Sequence, residues 1–191
     1  MDRLRDTLDD LLKTDVIKPV KEPTTWVNSL VITEKKDKNK LRVCLDPTDL
    51  NKAILRQHYS IPTADEVLCK LSEKKIFSVL DEKDGYWQIK LDKESSLLCT
   101  FNTPWGRYRF KRLPFGIKSA SEVFQQRNCE MFGDIAGVHI IADDMIIAAS
   151  TEQEHDEILH NVMTRAKEAN VKFNKDKLQY KTSLHYKECW V

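Results

Sequence analysis

Residues 138–150 read VHIIADDMIIAAS. Two apolar runs, VHII and MIIAA, flank the adjacent acids Asp143 and Asp144, and each run is too short for a helix. Short β-branched runs about a polar pair predict a β-hairpin whose turn carries two carboxylates. A second apolar run, IFSVLD at 76–81, is a strand that ends in Asp81. If the two strands are neighbours in one sheet, Asp81 and Asp143 aim their oxygens at the same place. Burying unpaired carboxylates is costly, so such a site calls for a cation or basic partners. Two hard oxygen ligands with positions left open suit Mg²⁺. Taken alone, the pair also fits an ordinary surface hairpin.

Around this centre the chain alternates helices and strands without strict βαβ order, which predicts an α+β fold. Leu4, Leu8, Leu11 and Leu12 mark an amphipathic N-terminal helix, and Pro19 and Pro23 keep the chain after it extended. NSLVIT (28–33) and LRVCL (41–45) form a hairpin with a basic tip. Thr63 and Glu66 supply a capping box for a helix over ADEVLCKLSEK. After the turn Lys83-Asp84-Gly85, YWQIKL reads as a strand, and LLCTFNT and GRYRFKR form a second hairpin about Pro104-Trp105-Gly106. A helix opens at Ser119 and ends at Gly133, and Thr151 caps a long helix closed by Asn170. VKFNKDKLQY is expected as a strand pair.

The 191 residues are long enough to bury a sizeable core, and 32% charged with 41% hydrophobic residues excludes a disordered or collagenous chain. No apolar run approaches the roughly 20 residues of a membrane span. Five scattered cysteines without a CxxC pair argue against disulfides or zinc and predict a reducing, intracellular compartment, with the thiols as small core residues. Net charge is +1, so any basic surface is local. Two such surfaces stand out. Lys35, Lys36, Lys38, Lys40 and Arg42 surround one hairpin tip; Arg107, Arg109, Lys111 and Arg112 follow another, with Tyr108 and Phe110 alternating between the arginines. Local basic fingers on a neutral chain suit phosphate contacts. His155 and His160 lie five apart on the long helix, so neither shares a metal and both are expected in solvent.

These motifs, in this order, resemble the reverse transcriptases of gypsy-type LTR retrotransposons. The resemblance runs through VIKPVKEPTTWVNSLVITEKKD, LRVCLDPTDLN, FSVLDEKDGYWQIKL, TPWGRYRFKRLPFGIKSASEVFQ, the ADD hairpin and TEQEHDEILHNVM. It implies the fingers and palm of a right-hand polymerase, with an antiparallel palm sheet flanked by helices. Fingers are expected over 1–58 and 91–114, palm over 59–90 and 115–183, and a diverged tail over 184–191. By the same resemblance Asp81, Asp143 and Asp144 are the catalytic acids that hold two Mg²⁺ or Mn²⁺ ions. Lys35, Arg42, Asp84, Gly85, Tyr86, Phe115 and Gly116 would contact the incoming deoxynucleoside triphosphate. Tyr86 matches the gate against a ribose 2′-hydroxyl, although a core tyrosine beside Trp87 fits its position too. Arg107, Arg109, Lys111 and Arg112, with Ile141 on the primer side, would meet the nucleic acid.

Departures accompany the match. Ile141 stands where the family usually has tyrosine, and Pro47-Thr48 replaces an aromatic-arginine pair. LHYKECWV at the end lacks the usual Gly-His stretch. Nothing matches the thumb, connection or ribonuclease H parts of such polyproteins, so a fingers-and-palm piece with weak affinity and poor processivity is expected. The implied activity is RNA-directed DNA polymerisation, a nucleotidyl transfer onto a primer 3′-hydroxyl, on an RNA or DNA template. The alternatives are a retrotransposon remnant that only binds nucleic acid, and a relic with neither property. The implied setting is the cytoplasm, a virus-like particle or the nucleus.

Overall fold

The computed structural model describes residues 2–34, 41–56, 58–141 and 144–182. The chain forms two compact units, one from the described residues up to 56 and 86–120, the other from 58–85 and 121–182.

In the first unit, α1 (Asp2–Lys13) turns Leu8 and Leu11 into the core. Asp15, in a left-handed conformation (φ 57°), then redirects the chain into β1 (Ile17–Pro19). The hairpin of β2 (Ser29–Glu34) and β3 (Leu41–Asp46) pairs from Ser29↔Asp46 to Glu34↔Leu41. The short helix α2 (Thr48–Ala53) follows it. Asp92 caps α4 (Lys93–Leu98) by accepting from the Ser95 amide at 2.8 Å. The hairpin of β5 (Thr100–Thr103) and β6 (Gly106–Phe110) is completed by β1 in the order β1-β6-β5. Period-two alternation on β6 puts Phe110 into the core while Arg107 is exposed. Phe101 packs against the Phe110 and Tyr108 rings at 5.0 and 6.0 Å.

Two expectations are corrected here. YWQIKL is no strand: Gly85–Gln88 forms a 3-10 turn, and the segment keeps only an isolated bridge, Lys90↔Arg112. Its alternation arises because Trp87 and Leu91 both pack on this core, not because a partner strand exists. LLCTFNT begins as helix α4, with β5 starting only at Thr100.

The second unit is an antiparallel four-stranded sheet in the order β7-β8-β4-β9, built from β4 (Ile76–Asp81), β7 (Val138–Ile141), β8 (Asp144–Ala149) and β9 (Gln179–Thr182). The helices are α3 (Ala64–Leu71), α5 (Ala120–Phe132) and α6 (Glu152–Glu168). Thr63 and Glu66 make the expected reciprocal capping box on α3, and Thr151 caps α6. Phe77, Ile146 and Ala148 pack with Val67 and Leu71 of α3. On the opposite face Leu80, Met145, Ile147 and Ala149 pack with Phe132 of α5 and Ile158, Val162 and Ala166 of α6. This mixture of helices and antiparallel strands is the α+β arrangement expected. No helix among the described residues is long and apolar enough to cross a membrane.

Further corrections fall in this unit. VKFNKDKLQY contains one strand, β9, after a 3-10 turn at Lys175–Lys177 that Asn174 caps. His155 is fully buried rather than solvated, because its ring faces β4 and bonds Ser78 Oγ at 2.8 Å. His160 is exposed as expected. Cys99 is a core residue whose thiol burial raises to a pKa of about 12, whereas Cys69 is exposed.

Candidate active site

Asp81 ends β4 and Asp144 begins β8, and the two are register partners. Strand alternation puts Asp81 on the face of Phe77 and Val79, and Asp144 on that of Ile146 and Ala148. Cβ atoms of directly opposed residues lie about 5 Å apart, so like charges there repel and favour a cation between them. Asp81 Oδ2 accepts from Lys177 Nζ at 2.8 Å, while Oδ1 has no partner among the described residues. Asp143, the middle acid of the expected trio, lies outside the described residues, among which no cluster of three or more metal-ligating side chains forms. The described donors are hard carboxylate oxygens at one sheet end with one coordination position open on Asp81, which fits Mg²⁺ or Mn²⁺.

The neighbours of the acids hold their backbone in place. Asp81 O accepts from Asn174 N at 2.8 Å, and Lys83 N donates to Lys172 O at 2.9 Å, with Glu82↔Phe173 bridged between them. Glu82, its side chain 3% exposed, accepts from Arg127 Nη1 at 3.1 Å and so ties the end of β4 to α5. Removing one partner of a buried ion pair strands the other, which makes this link costly to break. Gln125 Nε2 donates to Ile140 O at 3.0 Å and fixes β7 where it enters the acid hairpin. Ile141 is buried with Val67, Leu71 and Ile146, so its side chain packs in the core. Asp84 takes a left-handed conformation (φ 52°), and a Cβ on Gly85 would lie 2.8 Å from Phe124 Cζ. Gly85 is thus required for close approach to α5.

In the first unit, Arg42 lies over the Phe115 ring at 5.8 Å, and the Tyr86 ring centroid is 4.9 Å from that of Phe115. Trp87 is edge-on to Phe115 at 6.1 Å. The turn after Phe115 is held by two bonds, Leu45 N to Phe115 O and Asn51 Nδ2 to Gly116 O, both 2.9 Å. Gly116 has φ +108° and its missing Cβ would fall 2.0 Å from Leu45 O, so only glycine fits. Lys35 lies outside the described residues. Of the β6 cations, Arg107 is exposed, Arg109 donates to Ser96 Oγ at 3.1 Å, Lys111 pairs with Asp15 at 2.5 Å, and Arg112 reaches Gln88 O at 3.5 Å.

Lys177 and the Glu82–Arg127 pair escape the sequence reading, whereas Phe124 and Gln125 were expected on a helix beside the site, as found. Lys177 is 96 residues from its partner and lies in a run of lysines that looks like a solvated face. Glu82 carried a signal, being a second acid directly after Asp81.

Residues 33–188 match the family described as "Reverse transcriptase (RNA-dependent DNA polymerase)". The chain belongs to the reverse transcriptase family. It is 37% identical over 158 residues to an enzymatic polyprotein of cauliflower mosaic virus, covering 81% of this chain and 23% of the polyprotein. It is 29% identical over 191 residues to the Pol polyprotein from the Drosophila melanogaster transposon gypsy, covering 97% of this chain and 18% of that protein. The reverse transcriptase chain thus spans about a fifth of the length of these polyproteins. Among solved structures it overlays on a foamy viral protease-reverse transcriptase in complex with double-stranded DNA. That overlay has a TM-score of 0.86 at 24% identity, over 95% of this chain and 32% of the viral one. A further foamy viral structure, bound to an RNA/DNA hybrid, gives 0.82 at 24% identity over 93% of this chain and 24% of that one. These likenesses establish the polymerase fold.

Proposed function

We propose that this reverse transcriptase domain performs template-directed nucleotidyl transfer from deoxynucleoside triphosphates to a primer 3′-hydroxyl. The observation that carries the reading is the register pairing of Asp81 with Asp144 at the open end of an antiparallel sheet. In this reading 59–90 and 115–183 are the palm and 1–58 and 91–114 the fingers. Asp81, Asp143 and Asp144 hold two divalent ions. When bound, such ions lower the pKa of an attacking hydroxyl and neutralise a leaving pyrophosphate.

The chain's own residues position and neutralise, which is most of what phosphoryl transfer asks of a protein. Arg42, with Lys35, supplies positive charge to the triphosphate, and the Phe115 ring beneath the Arg42 guanidinium holds it in one orientation. Asp84 and Gly85 offer backbone to the substrate. Tyr86, braced against Phe115, walls the sugar and excludes a 2′-hydroxyl. Gly116 keeps Phe115 in place. Arg107 is free to meet phosphates, while Arg109, Lys111 and Arg112 also stabilise their own unit. Ile141 acts through packing beneath the hairpin. Template and primer are RNA or DNA.

The test is single-nucleotide primer extension on an RNA template with Mg²⁺, comparing the parent chain with Asp143→Asn. Extension by the matched deoxynucleotide in the parent alone supports the reading. Template binding without extension in both folded proteins would replace it with a binding remnant.

A further inference from the structure

Asp81 meets a cation supplied by the chain itself. Lys177 Nζ sits 2.8 Å from Asp81 Oδ2, with the carboxylate side chain 18% exposed and the lysine 63% exposed. This contact is built by backbone, not by chance approach of a surface chain. Residues 172–174 lie along the end of β4 through the Lys83–Lys172 and Asn174–Asp81 backbone bonds. Asn174 Oδ1 then accepts from Asp176 N at 3.1 Å, closing the turn that delivers Lys177. The neighbouring lysine on the same turn, Lys175, makes no ion pair among the described residues.

We infer that Lys177 is a resident counter-ion of Asp81, which neutralises one of the two register-paired carboxylates and competes with a divalent ion for Asp81. The inference rests on the metal-site reading above. A divalent ion on Oδ1 lies about 5 Å from an ammonium on Oδ2. Their repulsion, in water-like dielectric and screened by salt, weakens metal binding about three- to fivefold. Lysine can swing away on its flexible stem when the ion binds, and its exposure leaves room to do so.

The experiment is titration with Mn²⁺ alone, free ion read by electron paramagnetic resonance, at low and high salt. The proteins are the parent, Lys177→Met, Lys177→Arg, Lys175→Met and Asp81→Asn. Asp81→Asn identifies the Asp81-dependent site by its loss. Lys177→Met should bind Mn²⁺ about three- to fivefold more tightly there at about 0.1 M salt, with the gain shrinking at about 1 M. Lys177→Arg keeps the parent affinity. Lys175→Met, which removes the same charge from the same turn, gains less. Unchanged or weaker binding by Lys177→Met, or an equal gain in Lys175→Met, overturns the inference while leaving the metal site standing. Parent binding that Asp81→Asn does not reduce overturns the metal-site reading itself.

Discussion

Gly116→Ala tests how rigidly the Phe115 turn is docked on β3. The added Cβ would stand 2.0 Å from Leu45 O, against an ordinary carbon contact of about 3.5 Å, so the turn must move by about 1.5 Å. Leu45 is in a paired strand and cannot yield. Movement on that scale breaks the Leu45 N to Phe115 O bond and the Asn51 bond to Gly116 O. Two lost hydrogen bonds at about 1 kcal/mol each, plus about 1–3 kcal/mol for alanine at φ +108°, give about 3–5 kcal/mol. For a chain of this size that lowers Tm by about 6–20 °C. The control is Gly106→Ala. Gly106 also has a positive φ, +126°, but nothing lies within 4 Å of its Cβ position, so it carries backbone strain without the collision. Thermal melts followed by circular dichroism compare the two. A Gly116→Ala variant no less stable than Gly106→Ala would refute the docking argument.

Three other outcomes follow from the second unit. Gly85→Ala pushes on the buried Phe124 ring and destabilises by about 1–3 kcal/mol in urea titrations, and Phe124→Leu in the same chain returns part of that loss. Ser78→Ala orphans His155 Nε2 and the Lys181 amide, both bonded to Ser78 Oγ at 2.8 and 3.0 Å; denaturant midpoints should register about 2–4 kcal/mol. His139 is held below its usual pKa of 6.5 by burial first, then by the Lys70 and Lys74 ammoniums. Its neutral form is favoured in the fold, so the unfolded chain takes up protons first and stability falls as pH drops below about 6.5. Urea midpoints at pH 7.5 and 5.5 should differ more for the parent than for His139→Gln.

The acid hairpin, β4 and both helix caps were legible because each rests on local rules. Short apolar, β-branched runs beside acids marked β4, β7 and β8, and Thr63 and Thr151 announce their helices by capping chemistry. Where the sequence reading failed, tertiary context decided. The alternation of YWQIKL reflects packing on a core cluster, and the six-residue helices α2 and α4 are too short to announce themselves by periodicity. His155 was expected in solvent because its five-residue spacing from His160 rules out a shared metal, yet the residue falls on the buried stripe with Ile158 and Val162. At the candidate site, acids at two strand ends were legible, with Asp81 expected to meet Asp143 if the strands were neighbours. That Asp144 is the register partner of Asp81 depends on the sheet's register and was not legible. The support from Lys177 and Arg127 could not be anticipated, since it depends on segments distant in sequence meeting at one strand end.

The most direct test of the central claim is the single-turnover rate of one-nucleotide incorporation as a function of Mg²⁺, for the parent and Asp81→Asn. If Asp81 and its hairpin partners hold the catalytic ions, incorporation rises with Mg²⁺, stops in chelator, and falls more than about a hundredfold in the variant. Incorporation by folded Asp81→Asn at the parent's rate and with the parent's Mg²⁺ dependence would contradict it.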